Sequence, residues 1–242
     1  MEEKRKMRPA IILLNRGEKI AGWIYFPFYI QLISLMLAII FRILGRNILD
    51  PGNLLYLNLI YGAINFCVLT VCFHKYLGKS LRQVKRFPGR FFAAIGIGFA
   101  IYYFGTVIVG NIVQLIEPGL ENINDSNLGG IAEHGRLLMV VFTVLLVPTV
   151  EELMFRGLIF SSIRPHSRFW AYAVSMVVFS LMHVMGYVGQ YPLLSLGLCF
   201  LEYLPASFAL AWALEYSGSI WAPICIHTLI NLMAMAAMLF MQ

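Results

Sequence analysis

An all-α bundle of membrane-spanning helices is the fold this sequence predicts, on three observations. Of 242 residues, 60% are hydrophobic before glycine is counted, and only 12% are charged. The 20 glycines raise the apolar share to about 68%, against about 45–50% in soluble domains. A folded chain of this length keeps much of its surface exposed, and this composition cannot cover that surface with polar groups. Second, the apolar residues gather in runs of about 20, enough to cross about 30 Å of hydrocarbon as a helix. Third, the alternating pattern of a membrane barrel is absent. A soluble enzyme, a disordered chain and a nucleic-acid-binding domain are excluded, and the expected surroundings are the lipid bilayer.

Seven spans are expected, at 20–41, 54–73, 91–116, 137–163, 169–188, 193–214 and 220–240. The first is too long for a signal-peptide core and lacks a small-residue cleavage site, so it is expected to be retained. Pro27, Pro148, Pro205 and Pro223 fall inside the first, fourth, sixth and seventh spans. Neighbouring helices and polar side chains can satisfy the carbonyls that these prolines free. Pro223, four residues before His227, is expected to open the last span locally. Cys67, Cys72, Cys199 and Cys225 lie within spans and form no C-x-x-C pair, so they read as small apolar side chains. The longest connection, 117–136, is polar and rich in Asn and Gly and reads as a mobile loop. The chain, 1–242, reads as a single integral membrane domain.

The net charge of +6 is unevenly spread. The basic segment 1–19 holds Lys4, Arg5, Lys6, Arg8, Arg16 and Lys19. The connection after the second span holds Lys75, Lys79, Arg82, Lys85, Arg86 and Arg90, and the turn after the fourth holds Arg164 and Arg168. If the spans alternate, all of these share one side. The other side has Arg42, Arg46 and Arg136, with the acidic Glu117, Glu121, Asp125 and Glu133. The positive-inside rule then puts the N-terminus in the cytoplasm and the C-terminus outside, in a multi-pass cell-membrane protein. Binding of anionic lipid headgroups is the alternative use for these basic residues.

Ionisable groups inside a bilayer are costly and mark function. Here they are Glu151, Glu152, Arg156, His183, Glu202 and His227, all in the last four spans. Glu152 and Arg156 stand four apart on one helix face, acid first, and can neutralise each other. Glu151, about 100° round the helix, is left without an intrahelical partner and is suited to acid–base work. A purely structural acid–base cluster is the competing reading. His183 lies about 21 Å along its helix from the basic turn, and Glu151 about 18 Å, so the two share one level. A lone membrane histidine can equally be an interhelical hydrogen bond. His227 and Asn231 share one face of the last span. They are able to donate two hydrogen bonds to one oxygen, as an oxyanion site requires, or to bind a neighbouring helix. Glu202 stands apart, with a structural or substrate-channel role.

Together these groups suggest a water-activating site, with Glu151 and His183 acting on the water and His227 and Asn231 as donors. No serine nucleophile elbow and no cysteine with an adjacent base is evident. Zinc is the alternative cofactor, with Glu151, His183 and His227 as ligands. An H-E-x-x-H pair is absent, and Asn231 is a poor zinc ligand.

The three motifs, Glu151-Glu152-x-x-x-Arg156, Phe179-x-x-x-His183 and His227-x-x-x-Asn231, resemble those of the CAAX protease and bacteriocin-processing family. These are polytopic intramembrane endopeptidases that include the type II prenyl-protein endopeptidases. Phe155-Arg156-Gly157-Leu158 and the stretch from Ser217 to Pro223 add to the likeness, which covers a catalytic core at 137–233. The resemblance implies that Glu151 is the base, that His183 helps to activate water, and that His227 and Asn231 stabilise the oxyanion. Glu152, Arg156 and Phe179 would support them. It implies a membrane-associated peptide substrate, such as a bacteriocin or signalling-peptide precursor, with metal use open. The depths suggest a site that opens toward the cytoplasm. A non-enzymatic immunity or scaffold protein and a proton- or ion-coupled transporter are the competing functions, the latter weakened by the missing inverted repeat.

Overall fold

A computed structural model describes residues 10–240, and Lys4, Arg5, Lys6 and Arg8 lie outside the described residues. The described residues are all helix apart from short connections. In order, the helices are α1 (Arg16–Ile43), α2 (Pro51–Cys72), α3 (His74–Arg86), α4 (Pro88–Ile116), α5 (Ile123–Ala132), α6 (Arg136–Ile163), α7 (Arg168–Tyr187), α8 (Leu193–Ser217) and α9 (Trp221–Phe240). Among the described residues, α1, α2, α4, α6, α7 and α8 are long and apolar enough to cross a membrane, and α9 is a shorter apolar helix over Trp221–Ala237. The chain is thus a multi-pass membrane protein. Side chains such as Leu35, Ile39, Phe104, Ile108 and Leu115 face outward, as lipid-facing positions do.

Local chemistry sets the helix ends. Asn15 caps α1 in a reciprocal capping box with Glu18. The buried Glu18 carboxylate also accepts the backbone N–H of Tyr76 at 2.8 Å, which ties α1 to α3. Asp50 caps α2, with Pro51 in its first turn, and Ser167 caps α7. Gly218, at φ 73°, ends α8 in the left-handed conformation that glycine adopts without strain. Pro223 falls in the first turn of α9, where no intrahelical donor is lost, so the expected opening before His227 is not formed.

Two sequence expectations change. The basic connection after the second span is helical: α3 buries Tyr76 and Ser80 and leaves Lys75, Lys79, Arg82, Lys85 and Arg86 exposed. The polar 117–136 connection contains α5, capped by Asn122, whose side chain accepts the N–H groups of Asn124 and Asp125. Asx capping was the readable signal, and the Asn/Gly-rich composition hid it.

The core centres on α6, where every residue from Leu153 to Phe160 is buried. Around it pack Tyr29 of α1, Leu69 of α2, Tyr76 of α3, Ala171 and Phe179 of α7, Ala211 and Leu214 of α8 and Ile224 of α9. Backbones approach closely where side chains are smallest. A Cβ on Gly105 of α4 would lie 2.8 Å from Pro205 of α8, so only glycine fits there.

Candidate active site

The backbone of α6 is widened into π-helix at Val141–Leu146 and at Leu153–Phe160, on either side of the two glutamates. Pro148 explains the first. In this register Val147 donates to the carbonyl of Phe142, so residue 148 would serve Thr143 next. Proline has no N–H, and that carbonyl is left over. Asn231 of α9 fills the gap, its side-chain N–H donating to the Thr143 oxygen at 2.8 Å. The second segment offers its carbonyls to serines: Ser161 donates to Arg156 at 2.8 Å and Ser175 to Phe155 at 3.2 Å. π-Segments of this kind recur at functional sites because they shift side chains off the ordinary helical register.

Glu152 and Arg156 form a fully buried ion pair at 2.9 Å. Arg156 also donates to the backbone and side-chain oxygens of Ser207, and its guanidinium lies over the Phe179 ring, 4.4 Å from the centroid. The Glu152 oxygen that meets Arg156 is also 2.9 Å from His227 Nδ1. One buried carboxylate thus joins α6, α8 and α9, with an arginine and a histidine as partners. Such a pair is paid for by desolvation and is strongly destabilised when one partner is removed.

The other glutamate faces the cavity. Oε2 of Glu151 lies 3.9 Å from Nε2 of His183 and 3.9 Å from Nε2 of His227, with no protein hydrogen-bond partner. The acceptors on the far side of each ring assign its protons. His183 Nδ1 lies 2.8 Å from the Phe179 carbonyl oxygen, which only accepts, so Nδ1 carries the proton and Nε2 presents a lone pair. His227 Nδ1 donates to the Glu152 carboxylate, which leaves the protonation of its Nε2 to the cavity. His183 is held between two rings, Phe179 at 4.6 Å and Tyr203 stacked at 4.2 Å. Tyr203 in turn donates to Asn122 and Asp125 of α5.

These side chains line a cavity of about 540 Å³. Glu151, Phe179, His183, His227 and Asn231 are on its wall, while Glu152 and Arg156 lie behind it. Glu202, which had no sequence-level partner, also lines it and accepts a hydrogen bond from Asn122 at 2.9 Å. The sequence reading missed Tyr29, Tyr61, Tyr102, Asn122, Asp125 and Tyr203. Four are tyrosines within spans, which carry no charge to mark them. Burial pushes the Asp125 carboxyl above the ordinary aspartate range, against the opposing pull of its bonds to Asn124 and Tyr203. The lining residues lie on the side of Glu151 away from the Arg164–Arg168 turn. The lining residues continue from Glu151 toward the Arg136 end of α6, through Val147, Thr143 and Phe142.

Zinc was the alternative reading. Ligands of a tetrahedral zinc at about 2.0–2.1 Å stand about 3.3 Å from one another. The Glu151–His183 and Glu151–His227 separations of 3.9 Å are wider. Among the described residues no group of three or more His, Cys, Asp or Glu side chains converges as a metal cage. As placed, Glu151 and the two histidines are spread more widely than tetrahedral zinc ligands.

The helical membrane bundle thus sets Glu151, His183 and His227 around one cavity, with the Glu152–Arg156 pair behind it. Residues 133–233 match the family described as type II CAAX prenyl endopeptidase Rce1-like, and over that stretch the chain is similar to this family. No curated protein and no solved structure matches it.

Proposed function

We propose that the protein is an intramembrane endopeptidase that hydrolyses a peptide bond of a membrane-associated substrate with water activated by Glu151. The observation that carries this reading is the unpartnered Glu151 oxygen set 3.9 Å from two imidazole nitrogens. A water seated between that oxygen and the two imidazole nitrogens is the nucleophile in this reading. In the proposed reaction its oxygen attacks the scissile carbonyl, and its proton passes to Glu151 with His183 Nε2 as the neighbouring acceptor. His227, doubly protonated and steadied at Nδ1 by Glu152, donates from Nε2 to the oxyanion. Asn231 contributes the amide hydrogen it does not spend on Thr143. Glu151 then returns the proton to the departing amine as the C–N bond breaks, so atoms and charge balance. No metal is required in this scheme.

The substrate in this reading is a peptide precursor of the bacteriocin or signalling-peptide kind, held at the membrane. The N-terminus is cytoplasmic and the C-terminus outside, supported by the basic residues that gather at one end of the bundle. The test compares peptide termini, by mass spectrometry, in membranes with and without the expressed chain. New termini that appear only with the chain support the reading, and an identical set of termini rejects it.

A further inference from the structure

We infer that a second cavity, at the basic end of the bundle, binds the phosphate group of an anionic phospholipid from the leaflet around it. This cavity measures about 650 Å³ and shares no lining residue with the catalytic one.

Helix ends place it at the membrane–water boundary. Arg164 and Arg168 flank the turn between α6 and α7, and Arg90 is the third residue of α4. Trp212, Glu215 and Tyr216 lie in the last two turns of α8. Trp and Tyr side chains favour the headgroup level of a bilayer. Here the Trp212 and Tyr216 rings stack, with centroids 4.8 Å apart. Phe208, one turn deeper than Trp212 on the same face of α8, is exposed, as are Phe169 and Trp170 in the first turn of α7. Apolar surface for acyl chains therefore adjoins the charged groups.

The remaining wall comes from the segment before α1. The Ile12 N–H donates to the Gly218 carbonyl at 3.1 Å, and the Gln83 side chain donates to the Ala10 carbonyl at 3.1 Å. These bonds strap the segment across the ends of α8 and α3, so that Ala10, Ile11 and Leu13 close one side of the cavity.

Charge decides what the cavity takes. Its lining has three arginines against one carboxylate, Glu215. That carboxylate is already engaged. Nε of Arg164 donates to Oε1 at 2.7 Å, and Nε of Arg168 and the Tyr172 hydroxyl donate to Oε2 at 2.9 and 2.8 Å. Glu215 thus fixes both guanidinium groups, and each keeps further N–H donors. Among the described residues Arg90 has no carboxylate partner, and its guanidinium lies over the Tyr216 ring, 5.0 Å from the centroid. An excess of two positive charges beside hydrocarbon is costly and favours an anion. Phosphate oxygens match the fork of N–H groups that a guanidinium presents. Basic pockets between transmembrane helices hold phospholipid headgroups by this chemistry.

The full-length protein in nanodiscs of phosphatidylcholine, with or without phosphatidylglycerol, tests this by native mass spectrometry after release from the disc. The native chain is expected to retain phosphatidylglycerol, and inorganic phosphate to leave it in place. Arg90→Gln, which breaks no ion pair, is expected to lower retention by about fivefold. Arg168→Gln, at a mostly exposed side chain, carries the same expectation as a second variant. Lys79→Gln removes a charge from the exposed face of α3 and is expected to retain lipid as the native chain does. Native retention in both arginine variants overturns the inference. An equal loss in Lys79→Gln overturns it in favour of diffuse attraction. Displacement by inorganic phosphate overturns the lipid source and assigns the cavity to a soluble anion. None of these measurements depends on the proposed hydrolysis.

Discussion

Nδ1 of His227 lies 2.9 Å from Oε1 of Glu152, the same oxygen that pairs with Arg156. The carboxylate therefore holds the Nδ1 proton and the ring orientation of a cavity-lining histidine while neutralising a buried guanidinium. Glu152→Ala leaves Arg156 charged and unpaired where no water reaches, at a cost of about 3–5 kcal/mol. The expected outcome is loss of folded protein from the membrane, read as yield and thermal melting in detergent. Glu152→Gln combined with Arg156→Met removes both charges and is expected to recover folded protein but not cleavage, because His227 loses its anionic partner.

Pro148 and Asn231 are coupled through the Thr143 carbonyl. Asn231→Ala strands that buried acceptor, at about 1–3 kcal/mol. Pro148→Ala supplies a backbone N–H at the position that serves Thr143 in this register. The double variant is therefore expected to regain most of the stability that Asn231→Ala loses, while its cleavage stays low. Additive losses in a double-mutant cycle would show that the two positions are independent.

Asp125 makes the docking of α5 pH-dependent. Burial raises its carboxyl above the ordinary range. The folded form thus favours the neutral acid, and the contribution to stability is complete below about pH 3.9 and lost as pH rises through the raised value. Hydrogen exchange in α5 is expected to speed up across that window, and Asp125→Asn to flatten the dependence. An unchanged pH profile in the variant would contradict this assignment.

Removal of metals is expected to leave cleavage intact. Glu151, His183 and His227 are set too widely for a tetrahedral ion as they stand. Activity of the purified protein after dialysis against a strong chelator checks this. Loss of activity, restored by added zinc, would require the three side chains to close in by about 0.6 Å.

Much of the site was legible because charge is rare in the spans. Glu151, Glu152, Arg156, His183 and His227 stand out from apolar surroundings, and the i, i+4 spacing places Arg156 beside Glu152. The number of apolar runs made the bundle readable. Spacing says nothing about which way a cavity extends. The contacts of Glu202 with Asn122 and of Tyr203 with Asp125 join residues some 80 positions apart, which no local pattern encodes. The π-segments were hidden as well, although Pro148 was the visible cause of the first.

The most direct measurement compares the native chain with Glu151→Gln, both purified into lipid nanodiscs, for the rate at which a membrane peptide that the native chain cleaves is cut. Glutamine keeps the shape of the side chain and removes its capacity to take a proton. The expected result is an unchanged melting temperature and a rate lower by about 10²–10⁴-fold, the range that a positioned general base contributes. Cleavage at the native rate by a folded Glu151→Gln protein would contradict water activation by this carboxylate.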